Sequence, residues 1–137
     1  MTDVSNGLED NGYCFACGPR NPIGLKLQFS WDGDEYATEW TPSDVHQGWS
    51  GIVHGGLIAV VFDEVLSRAA LECYGMEWVT AEINVRLNRP AKIGSRIRFV
   101  AKLVTVRKKL IVTRGTAVDV DSGLQIASGE AKLMRVQ

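Results

Sequence analysis

One segment of this chain constrains the fold more than any other. Residues 56–74 have the character of a single long helix, and Gly75 directly after them is well placed as a C-terminal cap. Leu57 to Phe62 is apolar on every side, which is typical of a helix surrounded by other structure. Asp63 interrupts this run, although a buried ionised carboxylate costs several kcal/mol. We therefore expect a central helix that carries an acid for a functional reason.

Alternating segments flank this helix on both sides. Residues 24–31 alternate between apolar and polar side chains, and the turn signal Asp32-Gly33-Asp34 leads into a returning strand at 35–40. After the helix, four more alternating segments lie at 79–87, 97–103, 110–120 and 124–136. The order predicts an α+β fold in which an antiparallel sheet of five to six strands wraps around one long central helix.

Length and composition indicate one globular domain. The 137 residues fit a single unit at 1–137, in which residues 1–23 form an N-terminal extension with a CxxC motif. The sequence contains no run of about 20 apolar residues such as a membrane span needs, and its first ten residues lack the pattern of a secretory signal. Three cysteines fit a reducing compartment. We expect a cytoplasmic protein with no membrane partner.

The charges are segregated along the chain. Between Arg86 and Arg114 there are ten Lys or Arg residues and no acid, whereas acidic residues predominate before this segment. A basic segment within a chain of net charge −1 favours a local site for an anionic ligand. Nucleic-acid-binding domains are usually basic overall, with aromatic residues among the charges, and here only Phe99 lies in the segment. We expect no nucleic-acid partner.

Several motifs together resemble a known family. His54-Gly55-Gly56, followed by six residues and then Asp63, resembles the signature of hotdog-fold acyl-coenzyme A thioesterases of the phenylacetate-pathway (PaaI-like) group. Residues 13–18, 21–25 and 47–53 are similar to elements of one branch of that group, and residues 84–94 resemble the strand and turn that follow its helix. The resemblance implies the hotdog fold and hydrolysis of an acyl- or aryl-CoA thioester to free acid and CoA. It implies no cofactor, since the coenzyme A moiety belongs to the substrate.

The chemistry requires a polarised carbonyl and a base or nucleophile. Backbone N–H groups at a helix N-terminus can hold the developing oxyanion, so we expect the Gly56 N–H to do so and Gly55 to allow close approach of substrate. Asp63 is expected to act as general base or nucleophile. Gly56 and Asp63 lie about 10 Å apart along one helix. This separation predicts an obligate homodimer with two composite sites, and it leaves open whether dimers pair into tetramers.

Three further catalytic candidates depend on the resemblance. His54 is expected to orient the loop or contact substrate, and Gln47 matches a position where relatives place a polar side chain near the thioester carbonyl. Thr80 falls where relatives carry a Ser or Thr that holds the water. Strict alternation places Thr80 opposite Ile83 and Val85, so this role requires a β-bulge.

Coenzyme A carries phosphates, and the acid-free segment supplies basic residues that can bind them. Four of these residues are expected at strand ends, within reach of a ligand: Arg89, Lys92, Arg107 and Lys108.

The CxxC motif formed by Cys14 and Cys17 suggests zinc. A structural zinc site has four ligands, and only Cys73, His46 and His54 remain among cysteines and histidines, none in a paired motif. We therefore expect no metal and interpret the motif as local packing of the extension.

Two other functions remain open. A hydroxyacyl-CoA dehydratase or hydratase on the same fold pairs a histidine with a helical acid, but here His54 precedes Asp63 in the thioesterase arrangement. The second is a non-catalytic module that binds acyl-CoA. The presence of Asp63 argues for catalysis.

Overall fold

The computed structural model describes residues 2–3 and 8–136. Among them lies one α-helix, α1 (Gly55–Tyr74), together with a short 3-10 helix at Asp44–His46. The strands are β1 (Thr2–Asp3), β2 (Leu8–Glu9), β3 (Phe29–Asp32), β4 (Glu35–Trp40), β5 (Trp78–Leu87), β6 (Ile97–Val106), β7 (Leu110–Asp119) and β8 (Gln125–Arg135), and α1 spans Gly55–Tyr74. The β1–β2 pair was not expected from the sequence.

The larger sheet confirms the predicted architecture. Six strands are arranged in the order β3-β4-β6-β7-β8-β5, and all neighbouring pairs are antiparallel. Helix α1 packs across one face, where the Phe62 ring meets the Phe99 ring edge-on with centroids 5.1 Å apart. Gly129 of β8 lies under Phe62 because any side chain there would contact that ring at 2.8 Å. The helix and sheet are therefore closely packed at the centre of the core.

Helix α1 differs from the expectation in one respect that matters for function. Its buried residues are Ile58, Val61, Phe62, Val65, Leu66, Ala69 and Ala70. Asp63 is exposed and lies beside β5, which is an edge strand. The predicted burial of this acid is wrong for the single chain, because the sheet covers one side of the helix and ends at β5.

The first predicted strand was also placed too early. Residues 24–28 form no strand, and Lys26 has a left-handed backbone with φ of 54° that interrupts the extended conformation. The backbone N–H groups of Leu25 and Leu27 donate instead to the carbonyls of Phe15 and Ala16. Leu27 is buried through this pairing, which explains its apolar character. The segment therefore joins the N-terminal extension to the domain.

Strand β5 contains the β-bulge that a catalytic Thr80 requires. Thr80 pairs with Leu133 and Glu82 pairs with Lys132, so Ala81 is the extra residue. After the bulge, Ile83 pairs with the buried Ala131. The bulge consequently puts Thr80 and Ile83 on the same face of the sheet, toward α1.

Within the described residues, no helix combines the length and the apolar character that crossing a membrane would require.

Candidate active site

The N-terminus of α1 is capped by its own histidine. His54 Nδ1 accepts a hydrogen bond from the Gly56 N–H at 2.9 Å. This bond assigns the ring proton of neutral His54 to Nε2. The Gly55 N–H has no hydrogen-bond partner among the described residues. The free amide at this helix end therefore belongs to Gly55, one residue before the predicted Gly56.

The loop before the helix is closed by Gln47. Its side-chain oxygen accepts from the Gly51 N–H, and its amide nitrogen donates to the Asp44 carbonyl at 2.9 Å. Both ends of the Gln47 side chain are thus engaged within the loop. In this arrangement Gln47 shapes the approach to the helix N-terminus, and its predicted contact with the thioester carbonyl would require these bonds to break.

Asp63 on α1 forms a hydrogen bond with a residue of β5. The Thr80 hydroxyl donates to Asp63 Oδ1 at 2.8 Å. A hydrogen bond from a neutral donor stabilises the ionised carboxylate and fixes its rotamer. Because a hydroxyl oxygen can also accept, Thr80 and Asp63 together can hold one water between them. Thr80 and Asp63, to which the resemblance assigned a shared role, are therefore in contact, because the bulge at Ala81 turns Thr80 toward α1.

The two halves of the expected site are separated within the chain. Gly55 lies near the C-terminal end of β5, since an added side chain there would meet Leu87 at 2.9 Å. Asp63 lies near the opposite end of the same strand, next to Thr80. Eight residues of helix separate Gly55 from Asp63, which corresponds to about 12 Å. A single thioester cannot contact the Gly55 amide and the Asp63 carboxylate of one chain.

The basic segment divides into paired and unpaired residues. Arg96, Arg98, Lys102 and Arg114 form ion pairs with acids of neighbouring strands. The four predicted phosphate ligands, Arg89, Lys92, Arg107 and Lys108, are exposed and form no ion pair among the described residues.

These four residues lie at opposite ends of the sheet. Lys92 bridges to Ile52 just before the helix N-terminus, and Arg89 lies close by in the loop that follows β5. Arg107 and Lys108 form the β6–β7 turn, at the other end of these ten-residue strands. The single chain therefore does not bring them together.

A second polar cluster lies where the extension meets α1. Cys14 Sγ contacts Glu64 Oε1 at 3.7 Å, and Arg68 Nη1 lies 3.6 Å from Cys17 Sγ. Burial, followed by the nearby Glu64 carboxylate, raises the pKa of the Cys17 thiol well above its ordinary value. No sequence pattern indicates that Glu64 and Arg68 lie beside the CxxC motif, because they are about 50 residues from it in the chain.

Comparison with known proteins identifies a sequence family. The profile described as the thioesterase superfamily matches residues 50–126. Acyl-coenzyme A thioesterase 13 of Mus musculus is 31% identical over 93 residues, which span 66% of this chain and 66% of the mouse protein. The match therefore covers slightly less than two thirds of that relative.

Solved structures agree with the fold. A crystal structure described as a thioesterase superfamily protein has a TM-score of 0.80 and 26% identity, over 90% of this chain and 60% of that one. The Escherichia coli PaaI protein from the phenylacetic acid degradation operon has a TM-score of 0.74 and 18% identity, over 82% and 81% of the two chains. The expected hotdog fold and the expected membership of a thioesterase family are confirmed.

Proposed function

The chain belongs to the thioesterase superfamily, and we propose that it hydrolyses the thioester of an acyl- or aryl-CoA to the free acid and CoA. The observation that carries this proposal is the hydrogen bond of 2.8 Å between Asp63 on α1 and Thr80 on the edge strand β5. The first amide of the same helix, that of Gly55, has no hydrogen-bond partner among the described residues. Similarity to a mouse acyl-coenzyme A thioesterase supports the substrate class.

In the proposed mechanism, Asp63 acts as general base. Thr80 holds Asp63 Oδ1, which leaves Oδ2 for a water molecule that the Thr80 oxygen also orients. The water attacks the thioester carbonyl while Asp63 accepts its proton. The carbonyl oxygen becomes negatively charged and is stabilised by the Gly55 N–H and the helix dipole. The oxyanion then re-forms the carbonyl as the C–S bond breaks, and the departing CoA thiolate takes the proton that Asp63 accepted from the water.

We further propose that a two-fold dimer assembles this site. β5 is an edge strand of ten residues, and Ile83 and Leu87 on its helix side are exposed. Antiparallel pairing of two β5 strands would place the Thr80 end of one beside the Leu87 end of the other. Asp63 of one protomer would then lie near Gly55 of its partner, which closes the 12 Å gap estimated above from helix geometry.

The same dimer supports the proposed phosphate ligands. Antiparallel pairing reverses one protomer, so the β6–β7 turn of one chain lies at the same end as the helix N-terminus of the other. Arg107 and Lys108 of one protomer would thereby approach Arg89 and Lys92 of its partner. These four cations, which form no ion pair within the described part of the chain, would form a basic rim suited to the phosphates of coenzyme A.

A cytoplasmic location is also part of the proposal. Cys14, Cys17 and Cys73 are free thiols. Structural disulfides are rare in reducing compartments, so free thiols agree with this location.

The first test is thiol release from a panel of acyl- and aryl-CoA esters, with wild type and Asp63→Asn compared side by side. We expect the variant to lose at least about 1,000-fold in kcat, because the general base is removed. The change keeps the size of the side chain and its contact with Thr80, so circular dichroism and size-exclusion behaviour should not change.

A mixing experiment tests the composite site. Gly55→Val blocks the free amide and Asp63→Asn removes the base, so each variant alone should be inactive. Random mixing gives about half heterodimers, each with one intact site, and activity should recover to about a quarter of wild type. No recovery, with heterodimers demonstrated, would refute the shared site.

The outcomes separate the competing functions. Wild type that binds CoA esters without turnover would favour a non-catalytic binding module. Turnover of a hydroxyacyl- or enoyl-CoA without thiol release would favour a dehydratase or hydratase. Thiol release that survives Asp63→Asn would refute the assignment of the base.

A further inference from the structure

The CxxC turn places two thiols against helix α1. The Gly18 N–H donates to the Cys14 carbonyl at 2.8 Å, which closes the turn. Any side chain at Gly18 would overlap the backbone of Cys14, so only glycine permits this close approach. The sulfur atoms of Cys14 and Cys17 and a carboxylate oxygen of Glu64 all lie within 4.8 Å of one another. Three potential metal ligands from two separate elements therefore converge at one point.

We propose that Cys14, Cys17 and Glu64 bind one zinc ion. Two thiolates and a carboxylate form a set that zinc accepts, with Zn–S of about 2.3 Å and Zn–O of about 2.1 Å. In a tetrahedral site with these bonds, sulfur and oxygen are separated by about 3.6 Å. The distance from Cys14 Sγ to Glu64 Oε1 is already 3.7 Å. The fourth position is left for water, and binding releases the two thiol protons to solvent.

Arg68 makes the charges balance. Two thiolates and one carboxylate carry three negative charges, zinc supplies two positive charges, and the Arg68 guanidinium supplies the third. Arg68 Nη1 lies 3.6 Å from Cys17 Sγ and 3.8 Å from Glu64 Oε2. Because Cys14 contacts the other carboxylate oxygen, Oε1, the arginine does not occupy the oxygen that faces the thiols. Arg68 is therefore placed as an outer hydrogen-bond donor to the bound ligands.

The site would attach the N-terminal extension to the domain. The cluster lines a cavity of about 600 Å³ together with Tyr13, Leu71 and Trp78. A metal bond to Glu64 would tie the extension to the helix residue that directly follows Asp63. The expectation of no metal depended on cysteines and histidines alone. The Glu64 carboxylate from α1 raises the protein ligands to three, and water completes the four that zinc requires.

Cobalt titration of the full-length, reduced chain tests the site. Cobalt bound by thiolates gives an intense sulfur-to-metal charge-transfer absorption, and zinc should displace it. We expect one cobalt per chain in wild type. Cys14→Ser and Cys17→Ser should abolish the thiolate absorption, and Glu64→Gln should weaken cobalt binding by about tenfold or more. Cys73→Ser is the matched control, because Cys73 is the remaining free cysteine, is exposed and lies outside the cluster.

Each result bears on the proposal independently of any hydrolytic activity. Wild-type binding that is lost in Cys14→Ser and Cys17→Ser and kept in Cys73→Ser would support it. Wild type without thiolate absorption would overturn it, as would equal cobalt affinity in Glu64→Gln. Since Cys14 and Glu64 substitutions lie near the surface, circular dichroism of these two variants separates loss of a ligand from loss of the fold.

Discussion

A buried hydroxyl in β7 predicts a stabilising substitution. Thr113 is fully buried, and its Oγ1 finds no hydrogen-bond partner among the described residues. A buried unpaired hydroxyl costs about 1–3 kcal/mol relative to its state in water. Thr113→Val replaces this hydroxyl with a methyl group of similar size and keeps a β-branched residue in the strand. We therefore expect the variant to gain about 1–2 kcal/mol in the free energy of unfolding.

Thr38 provides the opposite case in the same sheet. It is also buried, but its hydroxyl donates to the Gln28 carbonyl at 2.7 Å. Thr38→Val removes this bond and leaves the carbonyl without its donor. We expect a loss of about 1–2 kcal/mol in the free energy of unfolding. The two substitutions are chemically identical, so their difference isolates the hydrogen bond.

Urea unfolding measures both effects. With a slope of about 2 kcal/mol per molar urea, the midpoint should rise by about 0.5–1 M for Thr113→Val and fall by a similar amount for Thr38→Val. All variants must be compared at one protein concentration, because a dimer couples unfolding to dissociation. Equal shifts in the same direction, or a destabilised Thr113→Val with an unchanged slope, would refute the argument.

Two further substitutions test the packing and the site. Gly129→Ala should destabilise the chain by about 1–3 kcal/mol in urea unfolding, because its methyl group would meet the Phe62 ring at 2.8 Å. The same change in a Phe62→Leu background should cost less, and an equal cost there would contradict the contact. Thr80→Val should lower kcat about tenfold to a hundredfold with little change in KM, because Asp63 loses its donor. An unchanged kcat would remove Thr80 from the mechanism.

Patterns along the sequence were sufficient for most of the fold. Helix α1 begins at Gly55 and ends at Tyr74, within one residue of the predicted 56–74, because the apolar period and the Gly75 cap are local signals. The four strands after the helix were found for the same reason. The prediction of one continuous strand over residues 24–31 was wrong, because the alternation in this segment arises from two different causes. Leu27 packs with the extension, whereas Phe29 begins the sheet.

The candidate site was only partly visible in the sequence. The need for a bulge near Thr80 followed from the role that the resemblance implies together with strict alternation, and the Thr80–Asp63 contact shows what the bulge accomplishes. The cap by His54 was not predictable in detail, since one residue decides whether Gly55 or Gly56 keeps a free N–H. Glu64 was not recognised as a neighbour of Cys14, because the extension folds back across α1.

The exposure of Asp63 connects the fold to the proposed dimer. An ionised carboxylate in the centre of this core would cost several kcal/mol, a large part of the stability of a small domain. At the edge of the sheet, Asp63 stays in contact with water in the single chain and, among the described residues, receives only the Thr80 hydrogen bond. A second protomer on β5 would cover the carboxylate only when the partner's helix N-terminus also arrives. The chain would thereby fold without burying the Asp63 carboxylate. Dimerisation would then remove this carboxylate from water, and the positive end of the partner's helix dipole would compensate for the lost hydration.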